Sequence, residues 1–265
     1  MQILAAFKSW WRRTFGPAPA VPAGTGLPEP LERRALVIIY IPPVPSENNR
    51  PLIEALGWND PARLIEGYIS DLRQASYGYL NYRVTQVITA EHFPVKADGF
   101  CYDADAYVQA MQTNSGFHQP DAVDYARILE EFNLLSRIDA DEFDEVWLFG
   151  GPYAGFYESI MVGPQAFFCN APAYEHSGVG RRFIIMGFNY QRGVGEMLEA
   201  FGHRAESMMR RVFAGQSGDA DLWERFNRIE LRNPGQAEVG SVHFAPNSLR
   251  DYDWGNPAPV FSRSR

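Results

Sequence analysis

Cysteine, lysine and net positive charge are what this sequence has least of. Its 265 residues hold only Cys101 and Cys169, too few for a disulfide scaffold or a Cys-rich zinc module. Lys8 and Lys96 are the only lysines among 24 basic residues, which leaves little for Schiff-base or phosphate-loop chemistry. The 32 acidic residues bring the formal net charge to −8, which argues against general nucleic-acid binding, since that depends on neutralising phosphates. Ser159, Ser177 and Ser207 lie in no Gly-x-Ser-x-Gly elbow, and there is no Walker loop, dinucleotide fingerprint or His-Glu-x-x-His helix. What remains is globular: 46% of residues are apolar and 21% charged. A single fold of this size buries roughly three quarters of its unfolded surface, so no covalent staple is needed.

The first fifteen residues read as a unit of their own. Ile3, Leu4, Phe7, Trp11 and Phe15 recur at helical spacing, with Lys8, Ser9, Arg12 and Arg13 on the other side. This amphipathic helix is too short in its apolar part to span a membrane and lacks the regions of a signal peptide. It suits either a membrane surface or the face of a protein. Residues 16–32 are rich in Pro, Gly and Ala and read as a linker. The expected setting is therefore the cytoplasm, with peripheral contact to a membrane through residues 1–15.

From residue 33 onward apolar strands alternate with helices. Strands are expected at Ala35–Ile41, Tyr82–Ala90, Val146–Phe149 and Phe183–Met186, with a short last one at Val242–Phe244. Helices are expected at about 60–75, 103–114, 121–135 (capped by Asp121), 194–213 and 219–230. The pattern predicts a single α/β domain over 33–265, with a mostly parallel sheet sandwiched by helices. In such sheets ligands sit beyond the carboxyl ends of the strands. By that rule Asp141, Glu142, Asp144 and Glu145, which precede a strand, form a solvated turn.

Two loops fall at the favourable end. In Gly150–Ser159, glycines permit sharp turns, aromatic residues can wall a ligand, and Glu158 is the one acid, a candidate general acid or base. In Gly187–Gly195, Asn189, Tyr190 and Arg192 flank the start of the long helix and are candidates for holding an anionic substrate group.

The long helix carries Glu199, His203 and Glu206 at i, i+4 and i+7, all projecting from one face. His203 and Glu206, with the distant His243, supply three zinc ligands and leave a fourth position open for water. Over these three residues the arrangement resembles the His-x-x-Glu plus distant His pattern of zinc carboxypeptidases. Glu199 or Glu158 would then move protons. The helical wheel sets a condition: these residues lie nearly opposite the stripe of Val194, Met197, Leu198, Phe201, Ala205 and Met208. A metal site therefore needs another layer over that face, and the 236–256 segment is the candidate. Asp251, Asp253 and Asn256 alternate in a loosely calcium-like way but without the bidentate Glu of a calcium loop, and read as part of a packed aromatic tail.

These residues suggest a Zn²⁺-dependent hydrolase acting on a small-molecule or peptide substrate with an amide-like or otherwise anionic group. The alternative is a non-catalytic α/β binding or scaffold protein, tethered by its N-terminal helix, whose aromatic loops hold a glycan or a protein partner.

Overall fold

A computed structural model describes residues 29–263; the expected helix over 1–15 and the linker up to residue 28 lie outside the described residues. Six strands form the main sheet: β1 (Leu31–Tyr40), β2 (Leu80–Ala90), β3 (Glu145–Gly150), β4 (Ser159–Gly163), β5 (Tyr174–Glu175) and β6 (Phe183–Asn189). Their order across the sheet is β2-β1-β3-β6-β4-β5. The four strands β2, β1, β3 and β6 run parallel, and β4 runs antiparallel to β6. This is the α/β architecture with a mostly parallel sheet that the sequence predicts.

Period-two alternation explains why the central strands are apolar throughout. Ala35, Val37, Ile39, Trp147, Phe149 and Met186 face one layer, containing helix α1 (Pro61–Ala75) and the long helix α5 (Val194–Val212). Leu36, Ile38, Tyr40, Val146, Leu148 and Ile185 face the other, which holds α3 (Tyr125–Glu131) and α4 (Leu134–Asp139). A strand covered on both faces has no solvent side to mark with polar residues. Cys169 is fully buried in the first layer, as its apolar surroundings in the sequence suggest. A third, smaller cluster gathers Phe93, Tyr102 and Tyr107 around α2 (Ala104–Thr113).

Several elements depart from expectation. The helix expected over 121–135 is broken in two, because Asn133 takes a left-handed conformation with φ 50° between α3 and α4. Its cap is Asp124, which accepts the Arg127 N–H at 3.0 Å, whereas Asp121 turns to the buried Lys96 at 2.5 Å. The segment 219–230 yields only a turn at Gly218–Ala220 and the five-residue α6 (Leu222–Phe226). Residues 242–244 form no strand; they belong to an irregular strap that crosses α5. Strand β4 was not anticipated, since five residues between two loops carry too little periodicity to stand out.

Glu145 is the sharpest correction. Far from lying in a solvated turn, it opens β3 at 2% exposure and pairs with Arg204 of α5. Burial works against the Arg204 charge, but Glu145 outweighs it and holds the guanidinium protonated. Asp144 likewise is half-buried and pairs with Arg34 at 3.0 Å. The Glu145–Arg204 pair fixes the rotation of α5 on the sheet, and hence which of its residues face outward. Arg204→Met should destabilise the protein by about 3–5 kcal/mol in denaturant unfolding, because it strands a buried carboxylate. Pairing it with Glu145→Gln should recover much of that loss; no recovery would show that the arginine acts through packing alone.

Candidate metal centre

The face of α5 that the wheel turns away from the sheet is covered by the irregular strap, residues 240–256, so the required extra layer exists. Two details of sequence let it approach. Gly202 has no side chain where a Cβ would lie 2.5 Å from Val242 Cγ2. The Val242 N–H then donates to Glu206 Oε1 at 2.9 Å, and the Trp254 indole N–H returns to the Val242 carbonyl at 3.0 Å. Gly240, at φ 93° and packed on the Phe244 carbonyl, provides the turn into this crossing.

The strap carries His243 directly over His203. Their Nε2 atoms are 3.0 Å apart. Glu199 Oε1 lies 3.2 Å from His243 Nε2 and 3.8 Å from His203 Nε2. The three atoms form a triangle within which one point stands about 2 Å from each, the length of zinc–imidazole and zinc–carboxylate bonds. All three residues are half-buried.

Partners at the outer nitrogens orient both rings. His203 Nδ1 faces Glu206 Oε2 at 3.3 Å, and His243 Nδ1 faces Asp251 Oδ1 at 3.1 Å. A carboxylate can only accept, so a ring whose proton sits on Nδ1 donates to its outer carboxylate and turns its Nε2 lone pair inward. With both rings in that form, the two lone pairs 3.0 Å apart repel unless a cation, a proton or a metal ion, lies between them. Three carboxylates surround the pair, which favours the cation electrostatically. Burial works against ionisation of Glu199, but hydrogen bonds from Tyr252 and His243 outweigh it and hold its carboxyl below the ordinary value. Because the folded value is the lower one, this carboxylate contributes stability at neutral pH that is lost as the pH falls through that value. Tyr252 donates to Glu199 Oε1 at 2.6 Å, and this bond pushes its phenol up to about 12, so it stays a proton donor.

The geometry revises the expected ligand set. Glu206 does not join the converging atoms; it orients His203 and anchors the strap. Glu199, expected to move protons, is the carboxylate whose oxygen converges with the two Nε2 atoms. Sequence reasoning missed the roles of Asp251 and Tyr252: Tyr252 reaches Glu199, 53 residues earlier in the chain, and Asp251 backs His243 within the strap itself. The oxygen alternation around them is internal to the strap: Asp253 accepts from Leu249 N–H at 3.0 Å and from the Asn256 amide at 2.9 Å.

The other candidates gather around a cavity of about 270 Å³ beyond the ends of β3 and β6, whose lining contains none of the three ligand residues. The crevice between β1 and β3, where the sheet order reverses, is instead plugged by Trp58, Tyr107 and Tyr190. Tyr190 is fully buried with its hydroxyl on the Tyr40 carbonyl at 3.0 Å, so it is not a substrate contact. Asn189 lines the cavity but spends Oδ1 on the Gln191 N–H at 2.9 Å. The start of α5 is no open anion site either, because Glu196 Oε2 accepts the Gly193 N–H at 3.1 Å. Arg192 is exposed at the cavity with no side-chain partner among the described residues. Glu158 lines the same cavity, held by the Asn170 amide at 2.6 Å, and lies near enough to Tyr252 to raise the phenol further.

Comparison with protein-family models, with curated proteins and with solved structures finds no match for the chain. The chemistry of the site therefore rests on its own geometry.

Asp251 is largely exposed, so Asp251→Ala should leave the unfolding transition in place. It should weaken zinc binding about 10–100-fold in competition with a chromophoric chelator, as loss of an imidazole-orienting carboxylate does. Unchanged affinity would show that the His243 ring is held by the strap alone.

Proposed function

We propose that this protein is a metal-dependent hydrolase of amide or peptide-like substrates, with Zn²⁺ held by Glu199, His203 and His243. The observation that carries this reading is the convergence of three ligand atoms, 3.0, 3.2 and 3.8 Å apart, with both outer imidazole nitrogens on carboxylates. Two imidazoles and a carboxylate form a donor set suited to catalytic zinc. When bound, such an ion acidifies water and polarises a carbonyl.

The chain's own residues supply the rest. Glu158, with one oxygen on Asn170 and the other without a partner among the described residues, moves a proton between the attacking water and the leaving amine. The Tyr252 phenol, donating to Glu199 Oε1, holds that carboxylate in place beside the two rings. Arg192 takes an anionic substrate group. A single unpaired guanidinium is too little positive charge for a phosphoester, which favours an amide.

Elemental mass spectrometry on protein purified without a metal-affinity tag should find about one zinc per chain, lost in His203→Ala and His243→Ala. Glu158→Gln should keep the metal and lower amide turnover by about 10²-fold or more. No metal before or after reconstitution would overturn the reading.

A further inference from the structure

The cavity beside the histidine pair has a charge pattern of its own. Its acids are Asp121, Glu158 and Glu196, and its only cation is Arg192. Asp121 is already neutralised from behind by Lys96, which is fully buried and also donates to the Tyr153 carbonyl at 2.5 Å. The two glutamates are different. Glu158 is held by a neutral amide and Glu196 by a backbone N–H, so neither has a cationic partner among the described residues. Arg192 likewise has no anionic one. Unpaired charges of both signs thus face one small space, partly walled by Phe156 and Tyr157. The space itself is built in. Gly187 admits the Phe156–Tyr157 backbone where a Cβ would meet the Tyr157 carbonyl at 2.4 Å, and Gly150 admits the Phe156 ring and Ala154 at 2.8 Å.

Charges left unpaired in this arrangement complement a ligand that carries both signs itself. Arg192 immediately precedes Gly193, the N-cap of α5, Glu196 lies in the first turn of that helix, and Glu158 lines the same cavity from the loop after β3. A volume of about 270 Å³ suits a molecule of one or two amino-acid residues and excludes a long peptide. We propose that this cavity binds a small zwitterion, a free amino acid or dipeptide, with its ammonium on Glu196 and its carboxylate on Arg192. Combined with the hydrolase reading, on which only this last step rests, the substrates are dipeptides with both ends unblocked. Such a substrate is what partial breakdown of longer peptides supplies.

The test is calorimetric titration with L-alanyl-L-alanine, its N-acetyl derivative and its C-terminal amide. Metal-depleted and zinc-loaded protein are titrated in parallel. The free dipeptide should bind, and each blocked form should bind at least tenfold more weakly. Glu196→Gln should abolish the penalty for N-acetylation, and Arg192→Ala the penalty for amidation. Both variants should fold, since glutamine can still accept the Gly193 N–H and Arg192 is exposed. Equal binding of all three ligands, penalties that survive in the variants, or no binding of the free dipeptide would each overturn the proposal. Charge-selective binding by a protein that takes up no zinc would keep the cavity site and remove the hydrolase. Zinc uptake without charge selection would do the reverse.

Discussion

Two imidazole Nε2 atoms held 3.0 Å apart, with a carboxylate at the outer nitrogen of each ring, are the constraint around which this part of the molecule is arranged. Three carboxylates around the pair make a cation between the rings electrostatically favourable. Glu199, Glu206 and Asp251 supply the compensating negative charge, one against the pair and two behind it. Everything that positions these groups, from the glycine at 202 to the buried ion pair at 204, serves that one contact.

Helix α5 is where the fold and the site meet. One side of it is packed on the sheet and locked in rotation by Arg204 on Glu145. The opposite side, which would ordinarily meet water, is roofed by a strap with no regular structure of its own. That strap stays down through specific bonds: Val242 to Glu206, Trp254 to Val242, Tyr252 to Glu199. Its ordering is therefore coupled to the state of the histidine pair, and a metal ion there would bind the strap to the helix more tightly than hydrogen bonds alone. The first turn of the same helix lines the cavity, so centre and cavity share a rigid support.

Periodicity made the sheet and its layers legible, because strands buried on both faces write unbroken apolar runs, as Ala35–Ile41 does. The same cue misled where a buried polar residue had a distant partner. Glu145 looks like surface until Arg204, fifty-nine residues later, is placed beside it. The histidine pair was legible only in part. His203 announced itself by helical spacing to Glu199 and Glu206, but which carboxylate ligates and which orients depends on where the strap crosses, and no local pattern encodes that. Gly202 was the one usable sign, a costly residue inside a helix that marks a close neighbour. Asp251 stood out only within a loosely calcium-like alternation, and the role of Tyr252 exists only after long-range folding brings it to Glu199. Tyr190 shows the converse: an aromatic in a promising loop that tertiary packing claims for the core.

The central claim, that one cation joins His203, His243 and Glu199, is tested most directly by anomalous diffraction at the zinc edge from crystals grown with the metal. The account predicts a single strong peak about 2 Å from both Nε2 atoms and from Glu199 Oε1, with the strap in place over α5. Saturating zinc with no peak between the two rings, or a peak elsewhere on the chain, would contradict it.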